Sequence, residues 1–204
     1  MAISTYAELK DAIADWAERD DLTTRLDTII DLAEARFNRI ILAPEREASD
    51  TLSAAATVAL PADFYGIKAI WLDTDPKAVL EPLSLQELRM HWASSQTGVP
   101  RNYAVQADAT LALGPAPDSA YDLELVYWTK IPALSDSQTS NWLLTGHPDI
   151  YLFGCLVEAE QFMVNPDSTV SWKARCDGAI LELLRAGRRK QHSAPQRIRA
   201  PYNT

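Results

Sequence analysis

The chain has 204 residues, 47% hydrophobic and 23% charged, with 7 glycines and 12 prolines, a composition that supports one ordinary globular core with a lobe and excludes a fibrous repeat. Its formal charge of -9 conceals a division: from residue 185 onward there are six basic side chains and no acidic one, whereas residues 1–184 carry 13 basic and 28 acidic. An acidic body repels phosphate, which disfavours a conventional nucleic-acid-binding domain except through the basic end.

The longest apolar run, around residues 150–157, is roughly half of what a bilayer-spanning helix needs. The amino terminus, with Glu8, Asp11 and Asp15 inside its first helical turns, does not read as a secretory signal. Cys155 and Cys176 both fall in helical patterns and are expected as buried thiols of a protein assembled in the cytoplasm, with a disulfide as the lesser alternative.

In chain order, Thr5-Tyr-Ala-Glu8 has capping-box spacing and predicts a helix with Tyr6, Leu9, Ile13 and Trp16 on one stripe. Asp20-Asp21 interrupts it, and Leu22, Leu26, Ile29, Ala33, Phe37 and Ile40 predict a second, antiparallel helix ending before Pro44. From about residue 46 the period becomes that of strands: 56–60, 64–72 and a return strand near 78–80 beyond the turn Asp73-Thr-Asp-Pro76. Ser84-Leu-Gln-Glu87 opens a short helix, after which 101–105, 110–113 and 121–131 predict an antiparallel meander. A polar loop, 135–141, leads to Pro148, which introduces a helix apolar enough to be central. Asn165-Pro-Asp-Ser168 predicts a tight turn, and the last helix is expected to close at Gly187.

These elements predict an α+β protein: a helical bundle, made of an N-terminal helix pair and a C-terminal helix hairpin, with an inserted antiparallel β lobe and an extended C-terminal arm. The expected boundaries are 1–45, 46–140, 141–187 and 188–204.

The sequence offers little catalytic chemistry. His91, His147 and His192 lie about 50 residues apart without neighbours at ligand spacing. No phosphate loop, dinucleotide fingerprint or nucleophile elbow is present. Asp73 and Asp75 read as a turn, Cys155 as core, and Glu158 with Glu160 as a solvated or intersubunit face. The six tryptophans are spread over all elements, as core and interface anchors would be. No catalytic residue, metal or cofactor is expected. The basic end stands out: an arm of Arg185, Arg188, Arg189, Lys190, Arg197 and Arg199, with Ile198 and Tyr202 as apolar anchors, suits a segment that orders on an acidic partner.

Several segments, taken as a set, carry a resemblance. Thr5-Tyr-Ala-Glu-Leu-Lys-Asp-Ala-Ile-Ala-Asp-Trp16, Arg19-Asp-Asp-Leu22, Leu32-Ala-Glu-Ala-Arg-Phe-Asn-Arg39, Leu60-Pro-Ala-Asp-Phe64, Tyr127-Trp-Thr-Lys-Ile-Pro-Ala-Leu-Ser-Asp136, Asn141-Trp-Leu-Leu144 and Pro148-Asp-Ile-Tyr-Leu-Phe-Gly154 resemble the adaptor (head-tail connector) proteins of tailed bacteriophages, related to the tail tubular protein A type. The resemblance spans nearly the whole chain and is weakest in the carboxy-terminal tail. It implies a structural virion protein, a ring of twelve copies between the portal at the capsid vertex and the tail or nozzle protein. It further implies DNA passing through the channel unbound, no membrane partner, and a carboxy-terminal arm that reaches the portal. The rival expectations are a nucleic-acid-binding module acting through the arm and a small enzyme with a site in the β lobe.

Overall fold

A computed structural model describes residues 3–18, 22–93, 95–163 and 166–191. Two compact units divide the chain, Met1–Glu45 with Ile131–Thr204, and Arg46–Lys130. The fold is α+β.

The first unit is helical. Helix α1 (Tyr6–Ala17) starts at the expected capping box: Thr5 Oγ1 accepts from the Glu8 amide at 3.3 Å and Glu8 Oε2 accepts from the Thr5 amide at 3.0 Å. It buries Tyr6, Leu9 and Ile13, but Trp16 stays 47% exposed, its ring meeting Trp172 at 5.6 Å and Phe153 at 6.3 Å. A 3-10 turn (Thr23–Arg25) leads into α2 (Leu26–Ile40). After the β insertion come α4 (Trp142–Gly146) and α5 (Pro148–Phe162), the latter with proline in its first turn. Burial of Ile150, Tyr151, Leu152, Cys155, Leu156, Val157 and Ala159 makes α5 the central helix, and Gly154 lets the Phe37 ring of α2 press on it, since a Cβ there would lie 2.3 Å from Phe37 Cζ.

A buried polar clasp ties residues 131–144 to these helices. Glu34 Oε1 accepts from the Leu134 amide at 2.9 Å and from the Tyr151 hydroxyl at 3.0 Å. Asn141 Nδ2 donates to Tyr151 Oη at 2.6 Å and to the Pro132 carbonyl at 2.7 Å, while its Oδ1 caps α4 by accepting from the Leu144 amide. Asn38 Oδ1 accepts from the Ile131 amide at 2.8 Å. Residues 131–140, expected with the β lobe, fall in the helical unit, where the amides of Ile131 and Leu134 find their acceptors.

The last helix, α6 (Pro166–Gln191), is 26 residues long and differs from expectation at both ends. Pro166 opens it instead of lying in a turn, a position where the missing N–H costs nothing. Gly187 does not close it: the residue is buried in the helix, where a Cβ would lie 2.6 Å from Pro44 Cδ. The arm expected to be extended from residue 188 is thus helical through residue 191.

The second unit holds β1 (Glu47–Ser53), β2 (Thr57–Ala59), β3 (Phe64–Leu72), β4 (Ala78–Val79), β5 (Glu81–Pro82), α3 (Leu85–His91), β6 (Thr97–Gly98), β7 (Asn102–Val105), β8 (Thr110–Gly114), β9 (Ala116–Pro117) and β10 (Asp122–Thr129). One sheet has the order β1-β10-β3-β4 and is antiparallel throughout; the other, β2-β8-β7-β5, is antiparallel except for the β5/β7 pair, and β6/β9 is a small parallel pair. The expected meander is corrected here, since β8 and β10 lie in different sheets. Leu123, Leu125 and Tyr127, alternating on β10, share one core with Ile70 and Leu72 of β3, Val58 of β2 and Leu111 of β8, as a period of two requires.

Candidate docking face

The residues expected to form the arm fall into two groups. Arg185, Arg188, Arg189 and Lys190 lie on the last turns of α6, all exposed. Arg197, Ile198, Arg199 and Tyr202 lie outside the described residues, as does His192. Cations at a helix carboxy terminus complement the partial negative charge of the unsatisfied carbonyls, so this placement is locally favourable.

This end of α6 is held against the segment that follows α2. Gly187 packs against Pro44, and Lys190 Nζ reaches Glu45 Oε1 at 3.0 Å. Burial pushes the Glu45 carboxyl up, but the Lys190 ammonium, the residue's own backbone amide and His147 together hold it below its ordinary value. Arg185, Arg188 and Arg189, with His147, Asp149 and Leu183, line an open groove of about 790 Å³ between the start of α5 and the end of α6. The groove sets the three guanidinium groups, which can fork onto carboxylates, beside the carboxylates of Asp149 and Glu182, with Ala179, Leu183 and Ala186 as its apolar lining.

The other candidates settle elsewhere. His91 stacks edge-on against Trp92, 4.9 Å between centroids. Cys155 and Cys176 are free and buried; burial pushes the Cys176 thiol up to about 11, and burial together with nearby Glu34 raises that of Cys155 well above the ordinary value. Glu160, expected on a solvated or intersubunit face, is not solvated: it is 8% exposed, and its Oε2 accepts no hydrogen bond. Among the described residues, no group of three or more His, Cys, Asp or Glu is placed to hold a metal ion, and no helix is long and apolar enough to cross a membrane.

A second groove, of about 540 Å³, was not anticipated. Ile3, Ala12, Trp16 and Leu152 give it an apolar lining, and Asp11 and Asp15 an acidic rim. Its signal in the sequence is the row Glu8, Asp11 and Asp15, spaced i, i+3 and i+7 along α1 beside Trp16.

Four cations thus stand exposed at the end of α6, three of them lining a groove. The model of the SU10 adaptor protein family matches residues 4–199, and the chain belongs to that family of phage head-tail adaptors. No curated protein matches it. Its role is that of a phage structural adaptor, a component of the virion.

Proposed function

We propose that this adaptor joins the portal at the capsid vertex to the tail, as a closed ring of copies related by rotation. Twelve copies are expected from the tail tubular protein A type that the sequence resembles. In such a ring each copy presents one patch to the neighbour on one side and a different patch to the other, the heterologous arrangement that closes when the rotation divides the circle evenly. The tail or nozzle protein attaches beneath, and the genome passes through the channel without specific binding, repelled by acidic side chains on its wall.

The observation that carries this reading is the segregation of charge. Arg185, Arg188 and Arg189 stand exposed beside a groove on an otherwise acidic chain, and the basic run continues in Arg197 and Arg199. Portal docking is assigned to Arg185, Arg188, Arg189, Lys190, Arg197, Ile198, Arg199 and Tyr202, the cations pairing with portal carboxylates and Ile198 and Tyr202 supplying apolar anchors. The test is attachment to DNA-filled capsids that carry portal but lack this protein. A chain ending at residue 191, combined with Arg185→Glu, Arg188→Glu and Arg189→Glu, is expected to keep its far-UV spectrum and lose attachment. Attachment at the wild-type level would refute the docking role.

A further inference from the structure

We propose that the groove beside α1 is the resting seat of this chain's own carboxy-terminal segment, residues 192–204, before the portal takes that segment up. The proposal rests on the reading of the segment as the docking arm and adds a site for it on the free protein.

Three observations point to this occupant. The first is charge. Glu8, Asp11 and Asp15 stand exposed along one face of α1, and Glu18, its left-handed C-cap, is exposed just beyond the helix. Glu8 serves the capping box, whereas Asp11, Asp15 and Glu18 have no ion-pair partner among the described residues. A row of exposed like charges on one helix face is unfavourable by itself and is relieved by cations. The segment beyond residue 191 contains Arg197 and Arg199 and no acid.

The second observation is the apolar lining. Trp16 is 47% exposed, although its ring already meets Phe153 and Trp172, and Ile3, Ala12 and Leu152 continue the surface. A large aromatic left half in water beside a cavity is unsatisfied apolar area. The segment supplies few apolar side chains, and two of them, Ile198 between the arginines and Tyr202 just after, suit that lining.

The third observation is reach. Thirteen residues follow Gln191, at most about 45 Å of extended chain. Trp16, in the groove beside α1, meets Trp172 of α6, nineteen residues before Gln191, about 28 Å along the helix axis. The seat is therefore within reach of the segment only when the segment runs back along α6 nearly extended. A seated arm would hide its arginines from DNA and from other copies until an acidic portal surface competes for them.

Limited trypsin digestion of the isolated full-length chain tests this, followed by mass spectrometry of cleavage after Arg197 and Arg199. At low salt the wild type is expected to be cut about fivefold more slowly than Asp11→Asn/Asp15→Asn, with the difference vanishing at high salt as exposed ion pairs are screened. Ile198→Ser/Tyr202→Ser should also be cut faster, and thermal unfolding of all variants should coincide. Equal cleavage rates in wild type and both variants would overturn the proposal. So would protection that grows with protein concentration alongside a dimer in light scattering, because the seat would then hold a second copy's segment. Capsid attachment is scored separately: an arm that is unprotected yet required for attachment removes the seat and leaves the docking role standing.

Discussion

Glu34 shows how much of the family pattern is physical. Its carboxylate receives the Tyr151 hydroxyl and the Leu134 amide, and Asn141 joins through Tyr151. The segments 32–39, 141–144 and 148–154, which carry the resemblance, thus meet in one buried clasp. From the sequence those residues were legible as a resemblance, but the reason for them was not, because each partner lies on a different segment up to 117 positions away. Desolvation raises the Glu34 carboxyl above its ordinary value of 4.5 despite both hydrogen bonds. The folded chain therefore binds this proton more tightly than the unfolded one. The resulting stability is full below pH 4.5 and is lost as pH rises through the raised folded value. Glu34→Gln keeps an oxygen for both donors and removes the buried charge, so urea titrations should show this slope with pH reduced and no loss of stability at pH 7. Glu34→Leu leaves the Tyr151 hydroxyl and the Leu134 amide without an acceptor and should cost about 2 to 4 kcal/mol. The two cysteines give a second check at this scale. Buried thiols with raised pKa are protonated at pH 8, so a thiol reagent should label neither in the native protein at a measurable rate, and both once urea unfolds it.

Among the elements, those set by local chemistry were legible and those set by distant neighbours were not. The capping boxes at Thr5 and Ser84 and the alternation Leu123, Leu125, Tyr127 mark their elements unaided. The pairing of β10 between β1 and β3 was not legible, since strands 47–53 and 122–129 meet only through the tertiary fold. The end of α6 lies beyond the expected one for a related reason: a glycine near the end of a helical pattern signals a cap, but Gly187 stays within the helix and leaves room for Pro44. Gly187→Val would drive side-chain atoms into that proline ring and should cost about 1 to 3 kcal/mol in urea unfolding. Arg185→Glu, Arg188→Glu and Arg189→Glu, all on exposed positions, should shift the midpoint far less, although they oppose the helix dipole. Such a split separates stability from docking on the same helix.

On the scale of the whole molecule the deciding quantity is the distribution of charge. A chain with a net charge of -9 and a cationic end will adhere weakly to DNA, and what binding exists should fall steeply with salt and disappear when residues 192–204 and the three arginines are removed. The α+β class and the cationic end could be read from the sequence; the groove beside that end and the acidic seat on α1 needed the structure, because each is assembled from helices far apart along the chain. The central claim is that this protein completes a capsid vertex. Its most direct test is to mix the purified chain with DNA-filled capsids that carry portal but lack it, and to image the particles by electron microscopy. The account predicts a ring of copies at one vertex of each particle, absent when the arm variant is used. Capsids whose portal vertex remains bare at saturating protein would contradict it.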